Sequence, residues 1–258
     1  MAYNGSLVDT LAAYPYLGLS LFMALLAIIA IVTAKRNAKL LLFSGLLCIP
    51  YGLFSFEYIP LYWNPNLIGF FIASPEDLIF SFGGGVLATR MLLSFQDGVY
   101  TVSSQPRQIW RRYLLYSAIG IGIGYGVRFG FPATPVMVST MYGVGLCGLI
   151  LAMKRRRFLA GALCGGVAFC LVYALLIRLS FLVWPHFRNA WVNVKFHSEW
   201  FQGVPLYELY WALGFGIVWP LMAIHCLLDE EAAKHIRLTL LSFLQRMFTF
   251  SSRTDRRN

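Results

Sequence analysis

The chain has 258 residues, of which 59% are hydrophobic and only 12% charged, and a mean hydropathy of +0.66. Soluble domains carry about 25% charged residues, so this chain cannot cover itself with a wetted surface, and a soluble globular fold is excluded. The net charge of +10 would raise nucleic acid as a partner for a soluble protein. Here the basic residues sit in short clusters between apolar runs, without an aromatic platform in an aqueous segment, and no nucleic-acid partner is expected.

In chain order, seven runs are long and apolar enough to cross about 30 Å of hydrocarbon: residues 14–33, 40–56, 67–95, 113–129, 135–153, 158–183 and 204–228. Between them lie Lys35, Arg36 and Lys39, then Arg107, Arg111 and Arg112, then Lys154 to Arg157, with Arg253, Arg256 and Arg257 in the tail. With the N-terminus outside, 17 of the 21 Lys and Arg residues fall on the cytoplasmic side, leaving Arg128, Arg178, Arg188 and Lys195 outside. This is the positive-inside pattern, and only an odd number of spans preserves it at every loop. No basic residue precedes the first run, so that span is expected to be retained rather than cleaved. The expected location is an inner (cytoplasmic) membrane of bacterial type. Beyond the last span, Ile236, Leu240, Phe243, Leu244 and Met247 recur at helical spacing beside Arg237, Gln245 and Arg246. This predicts an amphipathic helix on the cytoplasmic leaflet, with a calmodulin-type target helix as the alternative.

The order of features repeats. A span, a basic turn, a second span, an aromatic outer loop and a third span headed by proline and acid occur once in residues 1–95 and again in 134–228. The first copy carries Trp63-Asn64-Pro65 and then Ser74-Pro75-Glu76-Asp77; the second carries Trp184-Pro185 and then Val204-Pro205-Leu206-Tyr207-Glu208. The expected fold is an all-α membrane protein, a seven-helix bundle. It has two parallel three-helix repeats joined by a linking helix in 96–133, followed by a cytoplasmic tail in 229–258.

Several chemistries can be set aside. The five cysteines fall within apolar runs without a Cys-x-x-Cys pair and read as small buried hydrophobes. Gly143-x-Gly145-x-x-Gly148 lies inside a span with no preceding strand, so it reads, like Gly120 to Gly126, as helix-packing glycine rather than a nucleotide cradle. The four histidines are scattered, and the last span has no lysine for a retinal Schiff base. Neither a metal nor a cofactor is expected.

Chemistry concentrates in Glu76, Asp77 and Glu208, because a carboxyl sunk in hydrocarbon persists only if paired, solvated or protonated. Phe80, Phe82, Tyr207, Tyr210, Trp211 and Trp219 cluster around them and read either as a pocket of π faces for an apolar ligand or cation or as bundle packing and interfacial belt. Arg128 and Arg178 are candidate partners for the acids. Alternatively, they snorkel to the outer headgroups.

A seven-span chain with two three-span units, each with a tryptophan-bearing outer loop and a proline-acid motif at the head of its third helix, resembles the membrane-integral lycopene cyclases in their fused two-repeat form. The likeness covers most of residues 15–228. Pro205 to Trp211, followed by Gly214-Phe215-Gly216 and Trp219-Pro220, is its most specific stretch. The resemblance implies an isomerase-type carotenoid cyclase that closes a ring on an acyclic end group without net redox change and without cofactor. It further implies Glu76, Asp77 and Glu208 as catalytic residues and Phe80, Tyr207, Tyr210, Trp211 and Trp219 as substrate-binding ones. The chain departs from the family pattern at Tyr207, where the second motif usually has its first acid, and at Pro75, which directly precedes the acids. The implied partners are membrane lipid and an apolar polyene, with a membrane-protein partner or a second copy left open. The competing reading is a non-catalytic membrane subunit that binds pigment, lipid or another membrane protein.

Overall fold

The structure is a computed structural model and describes residues 7–68, 74–96, 98–191 and 200–229. Its helices are α1 Leu7–Ala13, α2 Pro15–Thr33, α3 Ala38–Gly52, α4 Pro75–Ser94, α5 Pro106–Gly130, α6 Val136–Lys154, α7 Arg156–Val183 and α8 Leu206–Leu227. Among the described residues, six helical stretches are long and apolar enough to cross a membrane, those of α2, α3 with its flanking turns, α4, α6, α7 and α8. The remaining run read from the sequence, 113–129, falls within α5. The amphipathic helix expected after residue 229 lies outside the described residues.

The helices start where local chemistry starts them. Helix α4 begins at Pro75 because Ser74 caps it: its Oγ accepts the Asp77 backbone N–H at 3.2 Å, and Pro75 occupies the first turn, where a missing N–H is harmless. The helix α5 begins seven residues before the predicted span because Pro106 opens it and Arg107 to Arg112 form a polar first stretch. The short α1 carries no hydropathy signal of a span. Ahead of α8, β1 Trp200–Phe201 and β2 Val204–Pro205 make a hairpin turned by Gln202 and Gly203 at φ of 53° and 78°, the left-handed pair that a two-residue hairpin turn requires.

The core is inverted relative to a soluble protein in what it leaves outside. On α2, Phe22, Leu25, Ile28, Ile29 and Val32 are exposed, and on α7 so are Leu171, Leu175, Leu179 and Leu182. Ser44, Thr89, Glu76, Asp77, Arg155, Glu208 and His225 are buried. Apolar side chains outward and polar groups inward, most of them hydrogen-bonded, is the arrangement a lipid solvent selects.

The third helix of each triplet, α4 or α8, packs against both of its companions more extensively than those companions pack against each other. The two third helices also touch each other, and α4 runs along α7. Close approach uses the predicted glycines: a Cβ on Gly143 of α6 would stand 2.3 Å from the Gly120 carbonyl oxygen of α5. All five cysteines are free.

The bundle has two distinct ends. At one lie Lys35, Arg36 and Arg155, together with Arg112, which donates to the carbonyls of His225 and Leu228 at 3.1 Å each. Arg155 joins it there, so the C-terminal dipole of α8 is met by two guanidinium groups. The helices return Tyr16, Glu57, Asp77, Arg128 and Glu208 to the opposite end, called the acid end below.

Candidate active site

Asp77 and Glu208 sit in the first turns of α4 and α8, both buried, at 4% and 7% exposure. Both carboxyls are held by neighbouring side chains, most of them from other elements. Tyr16 Oη of α2 donates to Asp77 Oδ1 at 2.8 Å and Ser74 Oγ donates to Oδ2 at 2.6 Å. Tyr173 Oη of α7 donates to Glu208 Oε2 at 2.6 Å, and the Trp191 indole Nε1 donates to Oε1 at 3.1 Å. Tyr62, in the loop after α3, also faces Glu208. Burial and the neighbouring carboxylate push its hydroxyl well above the ordinary tyrosine range.

The two acids are joined by aromatic rings. Tyr16 packs edge-on to Trp63 at 4.6 Å, Trp63 lies 5.7 Å from Trp191, and Phe80 stands between Tyr16 at 5.8 Å and Tyr173 at 6.1 Å. The two loops that carry these tryptophans are themselves tied by the Asn64 N–H donating to the Ala190 carbonyl at 2.6 Å.

Both acids line one cavity of about 300 Å³. From Glu208 its α8 wall continues through Trp211, Phe215 and Trp219 to Met222. These positions share one helix face because residues three, seven, eleven and fourteen apart return close to the same angle at 3.6 residues per turn. Trp211 stacks on Phe215 at 5.0 Å and Phe215 on Trp219 at 5.9 Å, with interplanar angles of 15° and 6°. The bottom of this ladder is fixed by Trp219 Nε1 donating to Ser44 Oγ at 3.0 Å, while Ser44 in turn donates to the Gly85 carbonyl at 3.0 Å and pairs with Thr89 at 2.6 Å. The lining also takes in α5 and α6, with Ser117, Gly120, Thr140 and Gly143 among its small and hydroxyl-bearing residues. The result is a slot with carboxyls at one end and π faces along one side.

The predicted site residues divide. Asp77, Glu208, Phe80, Trp211 and Trp219 come together in the cavity lining. Glu76 does not join them: successive residues of a helix diverge by 100°, so with Asp77 facing inward the Glu76 side chain turns aside. There it is fully buried and its Oε1 accepts the Ile68 backbone N–H at 2.7 Å. Tyr207 lines only a small neighbouring cleft beside Tyr62 and Met137, and Tyr210 is 51% exposed on another face of α8. Arg128 pairs with Glu57, an acid the sequence did not single out, and Arg178 is exposed on α7. Among the described residues, hydroxyls and an indole hold Asp77 and Glu208, and the two arginines do not.

No family model, curated protein or solved structure matches this chain.

The cavity contains a correspondence that was present in the sequence. Asp77-x-x-Phe80 on α4 and Glu208-x-x-Trp211 on α8 each place an acid and an aromatic one turn apart, and all four residues line the same space. Tyr16, Tyr173 and Trp191, which hold the acids, give no such signal.

Proposed function

We propose that the protein is an integral membrane cyclase of the carotenoid type, one that closes a ring on the acyclic end of a linear polyene by proton-initiated, non-redox chemistry. The observation that carries this reading is the pair of buried carboxyls, Asp77 and Glu208, opening onto one largely apolar cavity with an aromatic wall instead of being neutralised by arginine. The resemblance to the membrane-integral lycopene cyclases points to the same chemistry.

The reaction needs one of the two groups as the carboxylic acid and the other as the carboxylate. The acid gives its proton to the terminal carbon–carbon double bond, leaving a tertiary cation. The π electrons of the next suitably placed double bond attack that cation, forming the ring carbon–carbon bond and moving the positive charge into the ring. Loss of a ring proton to the carboxylate restores a double bond, so product and substrate are isomers. Trp211, Phe215 and Phe80 present faces that stabilise the cation without trapping it as a nucleophile would. Tyr16 and Tyr173 orient the carboxyls and exchange hydrogen bonds as the proton moves. Neither metal nor cofactor is required by this sequence of steps.

The same reading takes α5 as the seventh span and makes the acid end the outer face, with the basic end in the cytoplasm of a bacterial-type cell. It treats the matching central positions of α4 and α8 as the mark of duplicated triplets.

A second reading is favoured by one feature: both oxygens of each carboxyl already have donors, as in a structural polar pair. The protein would then hold a pigment or lipid without altering it. Expression in a host that accumulates lycopene separates the two. The cyclase produces ringed carotenoid, which disappears in Asp77→Asn and Glu208→Gln and persists in the exposed variant Arg36→Gln. A binding subunit retains the acyclic pigment unchanged in every case.

A further inference from the structure

Among the described residues, the cavity wall has a seam at which backbone packing is sparse. The helix α3 packs on α4 and α8, while α5 packs on α6 and α8, and α3 and α5 make little direct contact although both border the cavity. Side chains bridge the gap. Tyr51 Oη at the end of α3 donates to Ser117 Oγ of α5 at 2.8 Å, and Tyr125 Oη of α5 donates at 2.5 Å to Glu57 Oε1, in the 3-10 turn Leu53–Glu57. Arg128 of α5 pairs with the other oxygen of Glu57. Ser117, Ile121, Tyr125 and Arg128 are spaced by four, four and three residues, so one stripe of α5 forms this edge, and all four line the cavity.

The Glu57–Arg128 pair lies at the boundary: its side chains are 18% and 32% exposed, yet both also line the interior. Beside it in the chain, Leu53, Phe56 and Phe129 are exposed, so the surface next to the latch is apolar and suits an approach from hydrocarbon. The slot is long and thin. From Glu208 to Met222 the α8 wall runs about 21 Å at 1.5 Å per residue, around a volume of about 300 Å³, which suits a linear chain better than a compact molecule.

We propose that a linear apolar chain dissolved in the membrane slides into the cavity sideways through the seam between α3 and α5, and that Glu57, Arg128 and Tyr125 form the latch on that opening. Charge-assisted hydrogen bonds hold the seam shut, and because they are not covalent they can part and re-form with each passage. The inference rests on the cavity being a site for an apolar ligand and not on the cyclisation chemistry.

The test uses full-length protein in lipid nanodiscs and the methyl ester of parinaric acid, a linear conjugated tetraene, delivered from phosphatidylcholine vesicles. Quenching of tryptophan emission follows its arrival beside Trp211 and Trp219. Glu57→Gln and Arg128→Gln should each speed uptake about tenfold, the scale of one lost charge-assisted bond, and Glu57→Arg combined with Arg128→Glu should return it toward the wild-type rate. Ile121→Trp leaves the latch intact and fills the seam between its two bridges, so it should slow uptake about as strongly. Equal rates in wild type, Glu57→Gln and Ile121→Trp would overturn the proposal. Absence of uptake by the wild type would overturn it together with the cavity reading, whereas uptake of tetraene by a protein that never forms rings would leave it standing and sink the cyclase alone.

Discussion

Replacing Gly143 by alanine should drive α5 and α6 apart, whereas the same change two residues further along should not. A Cβ at position 143 would lie 2.3 Å from the Gly120 carbonyl oxygen and 3.2 Å from the Gly124 nitrogen. Both are backbone atoms, and no rotamer change can move them aside. Relief requires the helices to separate by about 1 Å, and overpacking of this kind costs about 1–3 kcal/mol. At Gly145 a Cβ meets nothing within 4 Å, so alanine there only gains helix propensity, up to about 1 kcal/mol. The two variants should therefore differ by roughly 2–4 kcal/mol in unfolding titrations from mild detergent into sodium dodecyl sulfate. Because Gly120 and Gly143 also line the cavity, Gly143→Ala should bind the tetraene more weakly, while Gly145→Ala should match the wild type. Coincident unfolding midpoints for the two variants would refute the α5–α6 contact and the cavity wall built on it.

Three further outcomes follow from the same geometry. Tyr173→Phe removes the 2.6 Å donor to Glu208 and should destabilise by about 0.5–3 kcal/mol, the range from neutral to charged acceptors; the loss should shrink when measured in a Glu208→Leu background, as a double-mutant cycle would read. Ser44→Ala strips the Trp219 indole of its acceptor and should cost about 1–3 kcal/mol in the same unfolding titration, with weaker tetraene binding because the aromatic ladder loses its anchor. Leu175→Arg puts a charge on an outward position of α7 and should reduce membrane insertion by about 2.5–3.5 kcal/mol, read as the inserted fraction in a translocation assay.

The spans were legible because hydrocarbon imposes length and polarity on any segment that crosses it, and the 14–33, 135–153 and 158–183 runs fall on α2, α6 and α7 within about two residues. Ends set by capping were less visible: hydropathy carries the third run back to residue 67, whereas Ser74 and Pro75 determine where α4 begins. Of the site, the acids stood out because charge is rare in such a chain. Their holders did not, since Tyr16 lies 61 residues from Asp77 and Tyr173 lies 35 from Glu208, and in a chain with 14 tyrosines and 7 tryptophans composition cannot say which ring reaches which carboxyl. Counting helical angle from Asp77 and Glu208 would have separated them from Glu76, Tyr207 and Tyr210 at once. Glu57 was passed over because it sits in an aromatic turn after α3, and only the return of α5 brings Arg128 to it.

Incubating the purified protein with lycopene in deuterium oxide and weighing the product tests most directly whether the cavity carboxyls start a ring closure by giving a proton. Ring closure begun by Asp77 or Glu208 should yield an isomer of the substrate that carries one deuterium for each ring formed, and none of it in Asp77→Asn or Glu208→Gln. Rings without deuterium, a product differing from the substrate by two hydrogens, or undiminished ring formation in the variant bearing both substitutions would contradict it.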